Sequence, residues 1–189
     1  EGSENFRILM EACMGKYVVS LKYAPFKHHG ESRTYNVSPY LLKQYNNRWF
    51  LMGKAEEREG ITNFALDRIT DISTWRTAFI PTDVDFSEYF YDVVGVSVPE
   101  GVEPEEIKLR ISNSRFPYLD TKPIHGSYKE IAAERTDTHH VIQLNLIVNN
   151  EFTALLLSLG PDAEVLSPQW LRDRIAEKVS ELNNIYHPA

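Results

Sequence analysis

Six residues in the first half of the chain are suited to holding an anion beside a flat ring: Tyr23, Arg33, Arg48, Trp49, Phe50 and Arg68. Arginine offers a planar fork of N–H donors that matches phosphate, and aromatic faces stack on bases. Recognition of a nucleotide or a single strand needs both. The six lie on separate short segments of β character, so a small sheet must bring them to one face. Each has a structural alternative. Trp49 can belong to the core, with its indole N–H on a backbone carbonyl. Arg68 follows Asp67 and can brace a turn through an ion pair.

No catalytic constellation accompanies them. The chain has no Gly-x-Ser-x-Gly elbow, no phosphate loop and no Gly-x-Gly-x-x-Gly. Its histidines are His28, His29, His125, His139, His140 and His187. The adjacent pairs would point to opposite faces of a strand, so neither makes a metal clamp. Cys13 falls on an apolar helical face, where a buried structural thiol is expected. The expectation is a binding protein with no enzymatic activity and no cofactor.

Charge narrows the ligand. The net charge of −7 argues against a nucleic-acid-binding surface over the whole chain. Residues 16–78, however, carry ten Lys/Arg against six Asp/Glu, while residues 79–107 hold eight acids and no base. The basic part coincides with the arginine and aromatic residues. Either the clustering is a solvated face, or the first domain receives an anion.

With 189 residues there is room for one or two modest domains. No apolar run approaches the roughly 18 to 20 residues that span a bilayer, and no signal peptide is visible. A single cysteine fits a reducing compartment, so the cytoplasm is expected. The opening Glu1-Gly2-Ser3 reads as a piece of a longer protein or a tag remnant.

Phe6, Leu9, Met10 and Cys13 predict a short helix over residues 5–14, stopped by Gly15. Strands are expected at 17–23, 33–40, 41–45, 48–53, 61–66 and 69–75, with a tight Asn46-Asn47 hairpin and polar tips at 28–31 and 56–60. Strands this short and regular predict a small barrel. Residues 79–106 read as an acidic connector with a short helix near Phe86–Tyr91. Beyond it come a strand at 107–111, a helix at 113–120, strands at 124–135 and 139–148, a helix at 151–159, a strand at 164–166 and a final helix capped by Ser167. On that helix Leu171, Ile175, Val179, Leu182 and Tyr186 form an apolar stripe. The β-α-β-β-α-β order predicts a ferredoxin-like α+β unit.

The motifs, in this order, resemble those of the WYL domain, named for a Trp-Tyr-Leu strand and found in bacterial transcriptional regulators. They are Tyr23, Arg33-x5-Pro39-Tyr40, Arg48-Trp49-Phe50-Leu51 and Leu66-Asp67-Arg68-Ile69. Tyr118-Leu119-x4-Ile124-His125-x-Ser127 and the pattern from Leu159 to Arg172 are similar to the extension that follows many such domains. The resemblance implies an SH3/Sm-like WYL domain over 4–78, the connector over 79–106 and the extension over 107–187. It implies a sensor that binds a nucleotide or single-stranded nucleic acid and relays this to a winged helix-turn-helix. That DNA-reading segment has no counterpart in the present sequence, so promoter binding by this chain alone is not expected. Homodimerisation is expected, and His125 and Ser127 would close over the ligand. Phe50 stands where the family has Tyr, which removes a hydroxyl from the site.

Overall fold

The computed structural model describes residues 3–26 and 31–188, and its backbone falls into two units, Glu1–Phe86 and Ser87–Ala189. The expected loop tip at His28 and His29 lies outside the described residues.

In the first unit, helix α1 (Ser3–Gly15) precedes five antiparallel strands: β1 (Val19–Tyr23), β2 (Arg33–Tyr45), β3 (Arg48–Ala55), β4 (Thr62–Ala65) and β5 (Ile69–Thr74). The sheet order is β4-β3-β2-β1-β5. Residues expected as two strands, 33–40 and 41–45, form one long β2. Pro39 lacks the N–H that a regular ladder needs, and a bulge between Pro39 and Leu41 absorbs the defect. Asn46 and Asn47 take φ of 46° and 59°, the left-handed pair of a tight hairpin. The expected barrel does not close. Among the described residues no ladder joins β4 to β5, and a 3-10 turn, Leu66–Arg68, links the two edges instead.

Strand alternation builds this core. Val19, Leu21 and Tyr23 face Tyr35 and Val37, then Leu51, Ala55 and Phe64, with Leu9 and Ala12 of α1 laid across them. Each fully buried Leu contributes about 1.5–3 kcal/mol of transfer energy. Gly53, opposite the bulge, leaves no room for a methyl: a Cβ there would meet Val37 Cγ1 at 2.6 Å and the Ser38 carbonyl at 2.7 Å. Gly53→Ala should therefore cost about 1–3 kcal/mol in chemical denaturation. An unchanged midpoint would show that β2 can give way.

In the second unit the order is β6 (Glu105–Ser112), α3 (Phe116–Thr121), β7 (Lys129–Glu130), β8 (His139–Leu146), α4 (Asn150–Ser158), β9 (Ala163–Ser167) and α5 (Gln169–Tyr186); the short α2 (Phe86–Tyr89) starts in the connector. The strands are antiparallel in the order β7-β8-β6-β9. This is the anticipated β-α-β-β-α-β connectivity. Ile107, Leu109 and Ile111 of β6, Ile142, Leu144 and Leu146 of the paired β8, and Phe152 and Leu171 are all fully buried. Two expectations need correction. The strand over 124–135 shrinks to Lys129–Glu130, because His125 Nδ1 takes the Ser127 N–H at 3.2 Å, a local bond that competes with a ladder. Ser167 ends β9 instead of capping α5; Pro168 occupies the cap and gives no side-chain bond.

The acidic connector is ordered where it meets this unit. Val93, Val94 and Val96 are buried, and Ile147 N–H donates to the Asp92 carbonyl at 2.7 Å. Asn149 donates to the Val94 and Ser97 carbonyls at 2.8 and 2.9 Å, and its Oδ1 caps α4 by accepting from Phe152 N–H at 2.8 Å. Glu151 accepts from the Ser97 N–H and hydroxyl at 3.1 and 2.6 Å.

Candidate anion-binding site

The end of β1 gathers the chemistry of the first unit. Tyr23 is 8% exposed, and its ring meets Phe64 edge-on at 5.2 Å and Tyr35 at 6.4 Å. Its hydroxyl accepts the Ala65 N–H at 3.4 Å. Tyr23 is thus a core residue under the site. Strand register then places Arg33 directly opposite Tyr23 on β2, and Ile69 opposite Tyr23 on β5. Two strand spacings set the Arg33 and Ile69 backbones about 10 Å apart.

Arg33 shares the face of Tyr35, two residues on, at the rim where that face reaches solvent. It is exposed and makes no ion pair or side-chain hydrogen bond with a described residue. Arg68 sits just before Ile69, where its carbonyl accepts the Ala24 N–H at 3.0 Å. Its guanidinium lies 4.0 Å from the centre of the Phe26 ring, while its buried Nε has no hydrogen-bond partner among the described residues. The two arginines therefore flank Tyr23 from opposite sides.

Arg48 is committed elsewhere. Its Nε lies 3.2 Å from Asp67 Oδ2, and the Asp67 side chain is 8% exposed. Arg48 neutralises that buried carboxylate. Trp49 is half-buried against the core, tilted on Phe6 of α1 with ring centres 4.6 Å apart. Phe50, also half-buried, stands between Lys43 and Ala65 on the neighbouring strands. So Arg33 and Arg68 stand on either side of Tyr23, whereas Trp49 turns to α1 and Arg48 to the turn.

One basic residue escapes sequence reasoning. Arg58 donates to the Tyr35 hydroxyl at 2.8 Å, its guanidinium 4.6 Å from that ring's centre. It joins the Tyr23–Tyr35–Phe64 cluster. Its only sequence signal is a lone cation inside Glu56-Glu57-Arg58-Glu59.

His125 and Ser127 lie in the second unit, occupied by its own bonds. His125 is 8% exposed; Nε2 is 2.6 Å from the Tyr91 carbonyl and Nδ1 2.7 Å from Ser127 Oγ. Because a carbonyl only accepts, Nε2 carries the proton and Nδ1 of the neutral ring is the acceptor. Ser127 Oγ also accepts the Asn145 N–H at 2.8 Å. The pair ties residue 91 to β8. Among the described residues no three of His, Cys, Asp and Glu gather as metal ligands, and no helix is long and apolar enough to cross a membrane.

Comparison with known proteins agrees with this division. The WYL domain matches residues 4–74, and the WCX domain matches residues 103–182. No curated protein sequence matches the chain. Among solved structures, proteasome accessory factor B/C (PafBC) of Arthrobacter aurescens is 19% identical, with a TM-score of 0.42 over 94% of this chain and 27% of that one. A CRISPR Cas-related protein is 13% identical, with a TM-score of 0.51 over 97% of this chain and 51% of that one. The second likeness is one of fold. The chain thus spans about a quarter of the first protein's length and about half of the second's. The chain carries a WYL domain in its first unit and a WCX domain in its second.

Proposed function

We propose that this chain is the ligand-sensing region of a bacterial transcriptional regulator, working in the cytoplasm without catalysis of its own. The ligand is an anion, a nucleotide or a short single-stranded nucleic acid, held between Arg33 and Arg68 at the end of β1. One observation supports the reading: an exposed arginine without an ion pair or hydrogen bond to a described residue stands one strand from Tyr23, with a second arginine on the other side. Arg58 extends the basic rim, and Phe26 offers an exposed ring. Duplex DNA would be read by a separate domain.

The test is fluorescence anisotropy with a labelled single-stranded oligonucleotide at low and moderate salt. Saturable, salt-sensitive binding is expected, weakened roughly tenfold or more in the Arg33→Glu/Arg68→Glu pair, because phosphate contacts dominate such affinities. Equal binding by wild type and double variant would sink the site.

A second reading rests on α5. Only Leu171 of its stripe is buried, while Val179, Leu182 and Tyr186 are 52%, 46% and 75% exposed. We propose that this face pairs with a second copy, giving the homodimer usual for a symmetric regulator. In a pure dimerisation module the chain would associate with rising concentration and ignore nucleotides altogether.

A further inference from the structure

A second cavity in the first unit lies apart from the arginine rim. The end of α1, the bulged middle of β2 and the segment 79–86 enclose about 210 Å³, open on one side. Tyr40, Phe79 and Phe86 supply aromatic walls: Tyr40 meets Phe79 edge-on at 5.9 Å and Phe86 at 6.1 Å. The lip is tied down in two places. Tyr40 Oη donates to the Ile80 carbonyl at 2.9 Å, and Ile80 N–H donates to the buried Ser38 hydroxyl at 2.9 Å. The cavity is therefore already shaped before anything enters it.

Few of its lining side chains are polar. Lys16 stands at the mouth, exposed and without an ion pair or hydrogen bond to a described residue. Its φ is 51°, a left-handed conformation that falls on the lysine although Gly15 stands beside it. Gly15 is small for a different reason, since a Cβ there would lie 2.8 Å from the Tyr17 ring. The left-handed turn places Lys16 on the cavity. Thr82 also lines the cavity; its Oγ1 accepts the Val84 N–H at 3.2 Å, leaving the hydroxyl proton to be donated.

One ammonium and one hydroxyl beside aromatic walls match two carboxylate oxygens on a flat apolar body. They lack the guanidinium forks that favour a phosphate dianion. We propose that this cavity binds a small aromatic carboxylate, the ring among Tyr40, Phe79 and Phe86 and the carboxylate on Lys16 and Thr82. This ligand and its site are independent of the arginine rim.

Cys13, the only cysteine of the chain, lines the same cavity and serves as a reporter. Burial pushes its thiol up to about 11, so alkylation in the free protein is slow but measurable. The probe is 4-fluorobenzoate, with 4-fluorobenzyl alcohol as its neutral match, followed by fluorine NMR and by the rate of Cys13 alkylation with N-ethylmaleimide. The acid should broaden saturably and slow alkylation, and the alcohol should bind about threefold more weakly, the scale of an exposed ion pair. Lys16→Glu, at an exposed position, should weaken the acid about fivefold or more as attraction becomes repulsion. Val84→Trp should fill the cavity and abolish both signals, while Arg33→Glu/Arg68→Glu should bind the acid like the wild type. Failure of both probes to broaden or protect would overturn the site. Equal binding of acid and alcohol, or indifference to Lys16→Glu, would overturn carboxylate recognition. A loss in the double arginine variant would move the acid to the other rim.

Discussion

Phe64→Ala should lower the stability of the first unit by about 3–5 kcal/mol, the range for an aromatic ring removed from a packed core. Phe64 has no exposed surface, and its ring centre is 5.2 Å from that of Tyr23 and 5.4 Å from that of Tyr35. Those tyrosines are the floor of the proposed anion site: Tyr23 faces Arg33 across the ladder, and Tyr35 carries Arg58. The cavity would therefore unseat two arginines as well as weaken the core, and anion binding should fall with stability. Phe64→Leu keeps most of the volume and should cost less, about 1.5 kcal/mol. Urea unfolding followed by tryptophan fluorescence measures both. A loss below about 1 kcal/mol for the alanine would mean that the tyrosines collapse onto the gap.

Asn149→Ala should cost the second unit about 3 kcal/mol, combining a lost helix cap with two orphaned carbonyls. Asn149 is 4% exposed, so the orphaned groups would have little access to water. The cap alone does not explain the residue. Asn149→Asp retains the acceptor for Phe152 N–H but loses both donors to Val94 and Ser97. It also brings a carboxylate against two carbonyl oxygens, and should be no better than the alanine. Thermal unfolding ranks the two variants, and rapid hydrogen exchange at Ile147 N–H would report release of the connector from this unit. An aspartate as stable as the wild type would reduce Asn149 to a simple cap.

Features set by near neighbours in sequence were legible. The Asn46-Asn47 turn, the α1 stripe closed by Gly15, and Gly160 after α4 follow from the left-handed tolerance of Asn and Gly and from helical spacing. The ladder alternation of Ile142, Leu144 and Leu146 was equally plain. What could not be read were the partners of polar groups distant in sequence. Arg48 and Arg33 look alike in sequence, yet one is consumed by Asp67 and the other is unpartnered among the described residues. The choice depends on where the turn after β4 falls. Arg58 appeared to be a loop-tip charge because its aromatic partner lies 23 positions earlier. The closed barrel was expected from strand length and spacing, which carry no information on whether the two end strands meet.

Strand lengths carry a further consequence. The long strands, β2 with 13 residues and β3, β6 and β8 with eight each, all lie inside their sheets. The outermost strands β4, β5, β7 and β9 have four, six, two and five residues. β5 is mostly polar, with Thr70, Asp71, Ser73 and Thr74 exposed. An unpaired backbone edge recruits other chains in proportion to its length and flatness. Each sheet therefore offers little template for aggregation, and the folded protein should resist edge-to-edge association when concentrated.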